Sequence, residues 1–380
     1  MRVFCTLALA AALAIAAGGS QTEGPGKDET LAAVEAAQRR LQQAPNLEEN
    51  TLALASLYLK LGQNRAAVEI LKQYLQSHAD APKSLRLLAL AYLRQEDYTA
   101  AKETAERALR LGTKDSAVFQ VLGMAELGLQ STESAERHLA EALKLDGNSP
   151  EANLQLGLLW AKERRNLPEA IRLLEKARSL EPKVAGTYAA LGSAYLASGD
   201  PNKAVSNLEI AIKLAPQTAE PYYLLATAHR ELHEDAKADD ALLAFNLRKK
   251  EDADRRAREM RARADYEEGV NLLSNSDQLD KAYAALEKAV SEMPSFDPAY
   301  YRLAQVSYLT GDLANALTSI RQALNLNPLE PEYYFVLARC LEDKDPKTAL
   351  EAIEKAVSMR PGVPDFEELR QNLRTKTAQK

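Results

Sequence analysis

A single small residue recurs along this chain at an almost constant interval. Ala55, Ala89, Gly123, Gly157, Gly192, Ala226, Gly269, Ala304 and Ala338 are separated by 34, 34, 34, 35, 34, 43, 35 and 34 residues. A second small residue follows each of them, at Ala67, Ala101, Ala135, Ala170, Ala204, Ala238, Ala282, Ala316 and Ala349. Chance does not hold such a register over nine copies. A chain with this period is a stack of like units, none of which buries a core alone, so a single non-repeating core is excluded.

The most regular copy is Ala185–Thr218, AGTYAALGSAYLASGDPNKAVSNLEIAIKLAPQT. It reads as two short amphipathic helices around Gly199-Asp200-Pro201, closed by Pro216. Small residues stand at Gly192, Ala204 and Ala211, and large ones at Tyr188, Leu191, Tyr195 and Leu208. Small positions let two helix backbones approach, while large ones fill the space around the crossing. Pro182, Pro216, Pro294, Pro328 and Pro361 close second helices.

The order aromatic-x-x-Leu-Gly-x-x-Tyr, a later Ala and a final Pro resembles the tetratricopeptide repeat (TPR). The resemblance runs from Glu48 to Pro361 and implies an all-α fold, a right-handed α-solenoid of nine helix-turn-helix units. Glu126 and His229 stand where repeats three and six would carry Tyr. One residue is added near Arg165 and one near Ser276, both expected to be absorbed in turns.

The register breaks once, by nine extra residues between Ala226 and Gly269. No Gly or Pro occurs between Ala236 and Glu268, so the second helix of repeat six is expected to run on. Its later part holds eight basic and seven acidic residues, with Ala253, Ala257, Met260 and Ala264 as a narrow seam. The expected organisation is repeats one to six over 48–247, an extended charged helix over 248–265 and repeats seven to nine over 266–361. Residues 21–47 form a polar lead-in and a first capping helix. Residues 362–380 form a last one, with Phe366, Leu369 and Leu373 on one side.

Residues 1–20 stand apart. Arg2 precedes an apolar run from Val3 to Ala17, interrupted only by Thr6, then Gly18-Gly19-Ser20, the pattern of a cleaved signal peptide. A run of fifteen residues is short of the ~20 that a spanning helix needs, so no stable membrane span is expected after cleavage. Export is expected, to the periplasm in a bacterium and otherwise to the outside. Removal of Cys5 leaves Cys340 as the single thiol, in a first-helix position that elsewhere holds Ala91, Ala194 or Ala228. A buried small residue is the expectation there. The formal charge of −6 and the acids interleaved with the Arg residues of the extension argue against nucleic acid.

Motifs for catalysis, cofactors or metals do not emerge. His229 and His233 lie in HRELH, which lacks the HExxH order, and the repeat register puts His233 in a turn. Gly-rich phosphate loops and nucleophile elbows are absent from the sequence. A non-enzymatic chain without metal or cofactor is expected.

The TPR resemblance implies that first helices line a groove through the second, fifth, ninth, twelfth and thirteenth positions of each repeat. In this sequence those positions place Lys60, Lys83, Arg86 and Arg94 at one end. Leu90, Met124, Leu127, Leu154 and Leu158 fall in the middle. Tyr223, Tyr266, Tyr301 and Phe335 form an aromatic row, with Tyr308 nearby, and Glu332, Glu342 and Asp343 follow. The groove positions of the regular copy, Gly186, Ala189, Ser193, Leu196 and Ala197, are bland. Repeat one has Leu52 and Ser56 where chaperone-binding TPRs clamp a carboxylate with Lys and Asn, so that partner is not expected. The function expected is a scaffold or adaptor holding a protein or peptide in this groove, in envelope or secretion assembly. The alternatives are a homodimer paired through the 248–265 helix, and a glycan- or polymer-binding factor using the groove rings.

Overall fold

The computed structural model describes residues 27–378, so the expected signal peptide (1–20) and most of the lead-in lie outside the described residues. Among the described residues the chain forms nineteen α-helices, one 3-10 turn and no strand. None of these helices is long and apolar enough to cross a membrane. The helices divide into two compact units, one ending at Lys249 and one beginning at Lys250.

The first unit opens with α1 (Lys27–Gln43). Six helix pairs follow: α2 (Glu48–Lys60) with α3 (Asn64–Ser77), α4 (Pro82–Arg94) with α5 (Tyr98–Arg110), and α6 (Ser116–Gly128) with α7 (Thr132–Leu145). Next come α8 (Pro150–Lys162) with α9 (Leu167–Leu180), α10 (Ala185–Ala197) with α11 (Pro201–Leu214), and α12 (Glu220–Glu231) with the start of α13 (Asp235–Leu272). The second unit takes the rest of α13, then α14 (Leu279–Glu292), α15 (Asp297–Leu309), α16 (Leu313–Leu326), α17 (Pro331–Leu341), α18 (Pro346–Met359) and α19 (Pro364–Ala378).

Sequence chemistry explains the pairs. Asp97, Asp200, Asp312 and Asp345 cap second helices by accepting the backbone N–H three residues on. Inside each pair the small residue admits a large one. A Cβ on Gly123, Gly157, Gly192 or Gly269 would stand within 2.8 Å of the Cγ of Leu139, Leu174, Leu208 or Leu286. The turn between paired helices is left-handed in every copy where its φ is positive. Gly62, Gly199 and Gly311 take it freely, while Glu96, Gln130, Arg164 and His233 take it at φ between 52° and 61°. The extra residue of repeat four sits in this turn, where Asn166 is also left-handed, and that of repeat seven sits at the 3-10 turn Ser276–Gln278.

In the first unit, polar contacts tie several pairs to the helix before them. Tyr195 Oη donates to Glu175 at 3.0 Å and Trp160 Nε1 donates to Glu136 at 2.9 Å. Gln38 of α1 donates to Tyr58 Oη at 3.0 Å. Gln38 lies twenty residues before Tyr58, as Glu175 does before Tyr195, so α1 behaves as the second half of a repeat. The two departures from Tyr are buried and paired: Glu126 with Ser134 and His138, both at 2.7 Å, and His229 with Glu234 at 2.6 Å. Cys340 is buried, and burial pushes its thiol up to about 11.

α13 is one 38-residue helix, Asp235–Leu272, that runs through 248–265 and includes the first helix of repeat seven. Nothing between Ala236 and Glu268 interrupts the ladder, and Gly269 lies within the packed turn against Leu286. α19 buries Phe366, Leu369 and Leu373 against the last pair.

Candidate functional site

The first helices do more than pack on their partners. α2 touches α4, α4 touches α6, α6 touches α8, α8 touches α10 and α10 touches α12, and in the second unit α15 touches α17. This contiguous layer is where the expected groove residues lie, and it treats them unequally.

At the first end, Arg94 donates from Nη1 to the Leu59 carbonyl at 2.7 Å, and Arg86 stands 3.6 Å from Asp115. Both guanidiniums staple neighbouring repeats. Lys60 and Lys83 are exposed. In the middle, Met124, Leu127 and Leu154 are buried and contribute to the core, leaving Leu90 and Leu158 half-buried. Met124 was expected in the groove; its neighbours in α4 and α6 close over it, so it offers little surface.

The aromatic row is mostly a set of ring pairs. In the second unit Tyr266 meets Phe296 at a centroid distance of 5.0 Å, Tyr301 stacks on Tyr333 at 5.0 Å, and Phe335 stacks on Phe366 at 5.1 Å. Each pair joins one repeat to the next, so a face of each ring is already covered. Gln305 donates to Tyr301 Oη at 2.8 Å, and Arg339 lies over the Tyr308 ring at 5.8 Å. The acids at that end are engaged: Glu332 with Arg360, Glu342 with Arg339 and Asp343 with Lys376. In the first unit Tyr223 leans on Phe245 at 5.5 Å and is 52% exposed, the most open of the row.

Tyr223 marks the feature that sequence reasoning missed. Between α8, α10 and α12 lies a cavity of about 400 Å³. Its floor is the copy judged bland, with Gly186, Ala189, Ser193 and Ala197, and its walls are Leu158 and Tyr223. These small side chains leave the space that other copies fill. Lys162 and Arg164 stand at the repeat-four side, Glu220 and Glu231 at the repeat-six side. Burial pushes the Glu220 carboxyl above the usual carboxylate range, against the opposing attraction of Lys162. A run of small residues at positions 2, 5, 9 and 13 of one repeat, between repeats with large ones, was the available signal. Among the described residues no group of three or more His, Cys, Asp or Glu side chains is arranged to hold a metal.

Family models agree with this architecture. One tetratricopeptide-repeat model matches residues 52–116 and 121–185, and a second matches residues 161–227. These stretches are tetratricopeptide repeats. Residues 265–344 match the model of the tetratricopeptide repeat protein 21 second ARM domain. TPR proteins are in general non-enzymatic scaffolds that bind protein or peptide partners.

Among solved structures, the chain is similar to YrrB, described as a TPR protein with an unusual peptide-binding site. The identity is 24%, over 50% of this chain and 97% of that one, with a TM-score of 0.39. It is also similar to MamA from Desulfovibrio magneticus RS-1, at 20% identity over 45% of this chain and 96% of that one, with a TM-score of 0.40. A further MamA structure matches at 22% identity over 44% and 97%, with a TM-score of 0.37.

Proposed function

We propose that this TPR chain is an adaptor that holds an extended segment of a partner protein along its first-helix layer, centred on α10. The observation that carries this reading is the open cavity of about 400 Å³ across α8, α10 and α12. Its size is in the range of pockets that seat small ligands, roughly 300–1,000 Å³. A preformed groove on stacked helices costs little ordering on binding. Filling the cavity tests it: Ala189→Trp should abolish selection from a synthetic peptide array while the melting temperature stays within a few degrees. Unchanged selection by Ala189→Trp sinks the reading.

One ring face each of Tyr301 and Phe335 is covered by a neighbouring ring, and no specific observation favours a glycan-stacking role. Self-pairing through α13 retains one specific observation. Met260 is 72% exposed, and Ala253, Ala257 and Ala264 are exposed beside it on the same face. Light scattering on the protein and on Met260→Asp decides this second reading; a monomer in both cases ends it.

The proposal includes export and work in envelope or secretion assembly, supported by the Arg2, Val3–Ala17 and Gly18-Gly19-Ser20 pattern. Mass spectrometry of the protein purified from its own cells should find an N-terminus near residues 17–20. An intact Met1 or Arg2 rejects export by cleavage.

A further inference from the structure

The middle of α13 has little packed on it, and from Lys250 to Arg261 no side chain is buried. Several of its charges are already spent. Arg255 stands 2.7 Å from Asp252 and 3.8 Å from Glu259, and Arg261 donates twice to Glu292 of α14 at 3.0 Å. Arg256 and Arg263 are exposed and form no ion pair among the described residues. These two share a face with Met260, which is 72% exposed. At 3.6 residues per turn, they lie about 40° and 60° to one side of it. Ala264 and Ala257 lie about 40° and 60° to the other side, and Ala253 within about 20°. All three alanines are exposed. Between Lys250 and Glu268 this arc holds one acid, Glu267, at its C-terminal end. The charges of the helix nearly balance in number, yet one edge of its apolar face carries two uncompensated guanidiniums.

We infer that this face docks an acidic amphipathic helix of another protein, with carboxylates one heptad apart set against Arg256 and Arg263. From Ala253 to Ala264 the face is about 16 Å long, three turns of a partner helix. The alanines let a partner backbone approach closely, and Met260 is the adaptable large side chain between them. The flanking charges then choose the partner, as they do along a coiled coil. A second copy of this chain matches poorly. Set antiparallel about Met260, it brings Arg256 of each copy beside Arg263 of the other. Set parallel, it brings Arg256 beside Arg261 of the second copy. The Asp254–Arg261 contacts that antiparallel copies would gain reuse a guanidinium already held by Glu292. A nucleic-acid duplex or an anionic membrane reaches beyond this edge and meets Asp254, Asp265 and Glu268 as well.

Two labelled 21-residue helical peptides test this, with the same Ala/Leu heptad seam flanked by Glu in one and by Lys in the other. Fluorescence anisotropy at low salt should find the Glu-flanked peptide bound. The Lys-flanked peptide should be about tenfold weaker, as two exposed ion pairs give way to two like-charge contacts. Salt at ~0.5 M should narrow that gap. The double variant Arg256→Glu, Arg263→Glu should reverse the ranking, and Met260→Asp should weaken both peptides. These three positions are exposed, so thermal melts of the variants should stay within a few degrees of the parent. Equal binding of the peptides, binding of neither, or a ranking unmoved by the arginine changes overturns the inference. So does a Glu-peptide affinity unmoved by Met260→Asp, because the arginines then accept any polyanion. A dimer that Met260→Asp dissociates gives the face to a second copy and also overturns it. Ala189→Trp should leave Glu-peptide binding unchanged; loss of binding there places the peptide in the groove over α10 and overturns the inference.

Discussion

A Cβ on Gly192 would stand 2.5 Å from Cγ of Leu208, with both Cδ atoms of that leucine also within 3.2 Å. Leu208 is fully buried, so it has nowhere to retreat. Gly192→Ala gains about 1 kcal/mol of helix propensity and incurs an overpacking cost of about 1–3 kcal/mol. The expected net loss is about 1 kcal/mol, read as a lower urea midpoint. Adding Leu208→Ala should relieve the clash, because repeat two already combines Ala89 with Ala105 in its core. A stability of Gly192→Ala equal to the parent would show that the α10–α11 crossing is loose.

Four non-glycine residues hold the left-handed turn between paired helices. Gln130 is exposed at φ 60°. A left-handed conformation costs an L-residue roughly 1–2 kcal/mol, partly offset by the greater freedom glycine has in the unfolded chain. Gln130→Gly should therefore raise stability by about 0.5–1 kcal/mol. Gly199→Gln, the reverse change two repeats later, should lower it by a similar amount. Thermal melts of the two variants give the answer, and shifts of the same sign would contradict the argument.

Glu126 is buried beneath α7 with Ser134, His138 and, at 3.8 Å, Lys102. Burial alone would raise its carboxyl. The hydrogen bonds from His138 and Ser134 and the charges of His138 and Lys102 outweigh it and hold the carboxyl below its usual range. A depressed folded value means stabilisation that is complete above the unfolded carboxylate pKa of about 4.3. It is then lost as pH falls through the lower folded value. Glu126→Gln should cost about 1–3 kcal/mol near pH 7 and show a shallower loss of stability below about pH 4.3. Parallel acid limbs for the two proteins would refute the linkage.

The Cys340 thiol, buried and pushed up to about 11, should resist a disulfide-exchange reagent at pH 8. With Cys5 replaced by Ser, one equivalent should react promptly in guanidinium. Fast labelling of the native protein would mean that the α17–α18 pair opens readily.

Much of this fold was legible because packing in each repeat depends on residue size at fixed spacing. Gly157 meets Leu174 one residue later than Gly192 meets Leu208, which is the inserted residue of repeat four seen in three dimensions. The caps at Asp97 and Asp200 and the buried face of α19 were readable for the same local reason. The end of α13 was harder, because register alone does not say whether two successive repeats share an unbroken helix. The site was least legible. Register identifies which residues occupy groove positions, but not which are already used: Arg94 is spent on the Leu59 carbonyl, Met124 is buried, and Tyr301 is stacked on Tyr333. A cavity, by contrast, consists of missing atoms, and a search for conspicuous side chains passes over it.

The floor of that cavity carries a consequence for how such a protein changes. Gly186, Ala189 and Ser193 face open space, whereas Gly192 and Leu208 carry the crossing of α10 and α11. If the cavity is the binding site, mutations at the first three should reshape what it accepts without taxing the stack. One methyl at Gly192 does the opposite. Specificity and durability are therefore separable inheritances on one thirteen-residue helix, free to drift at different speeds.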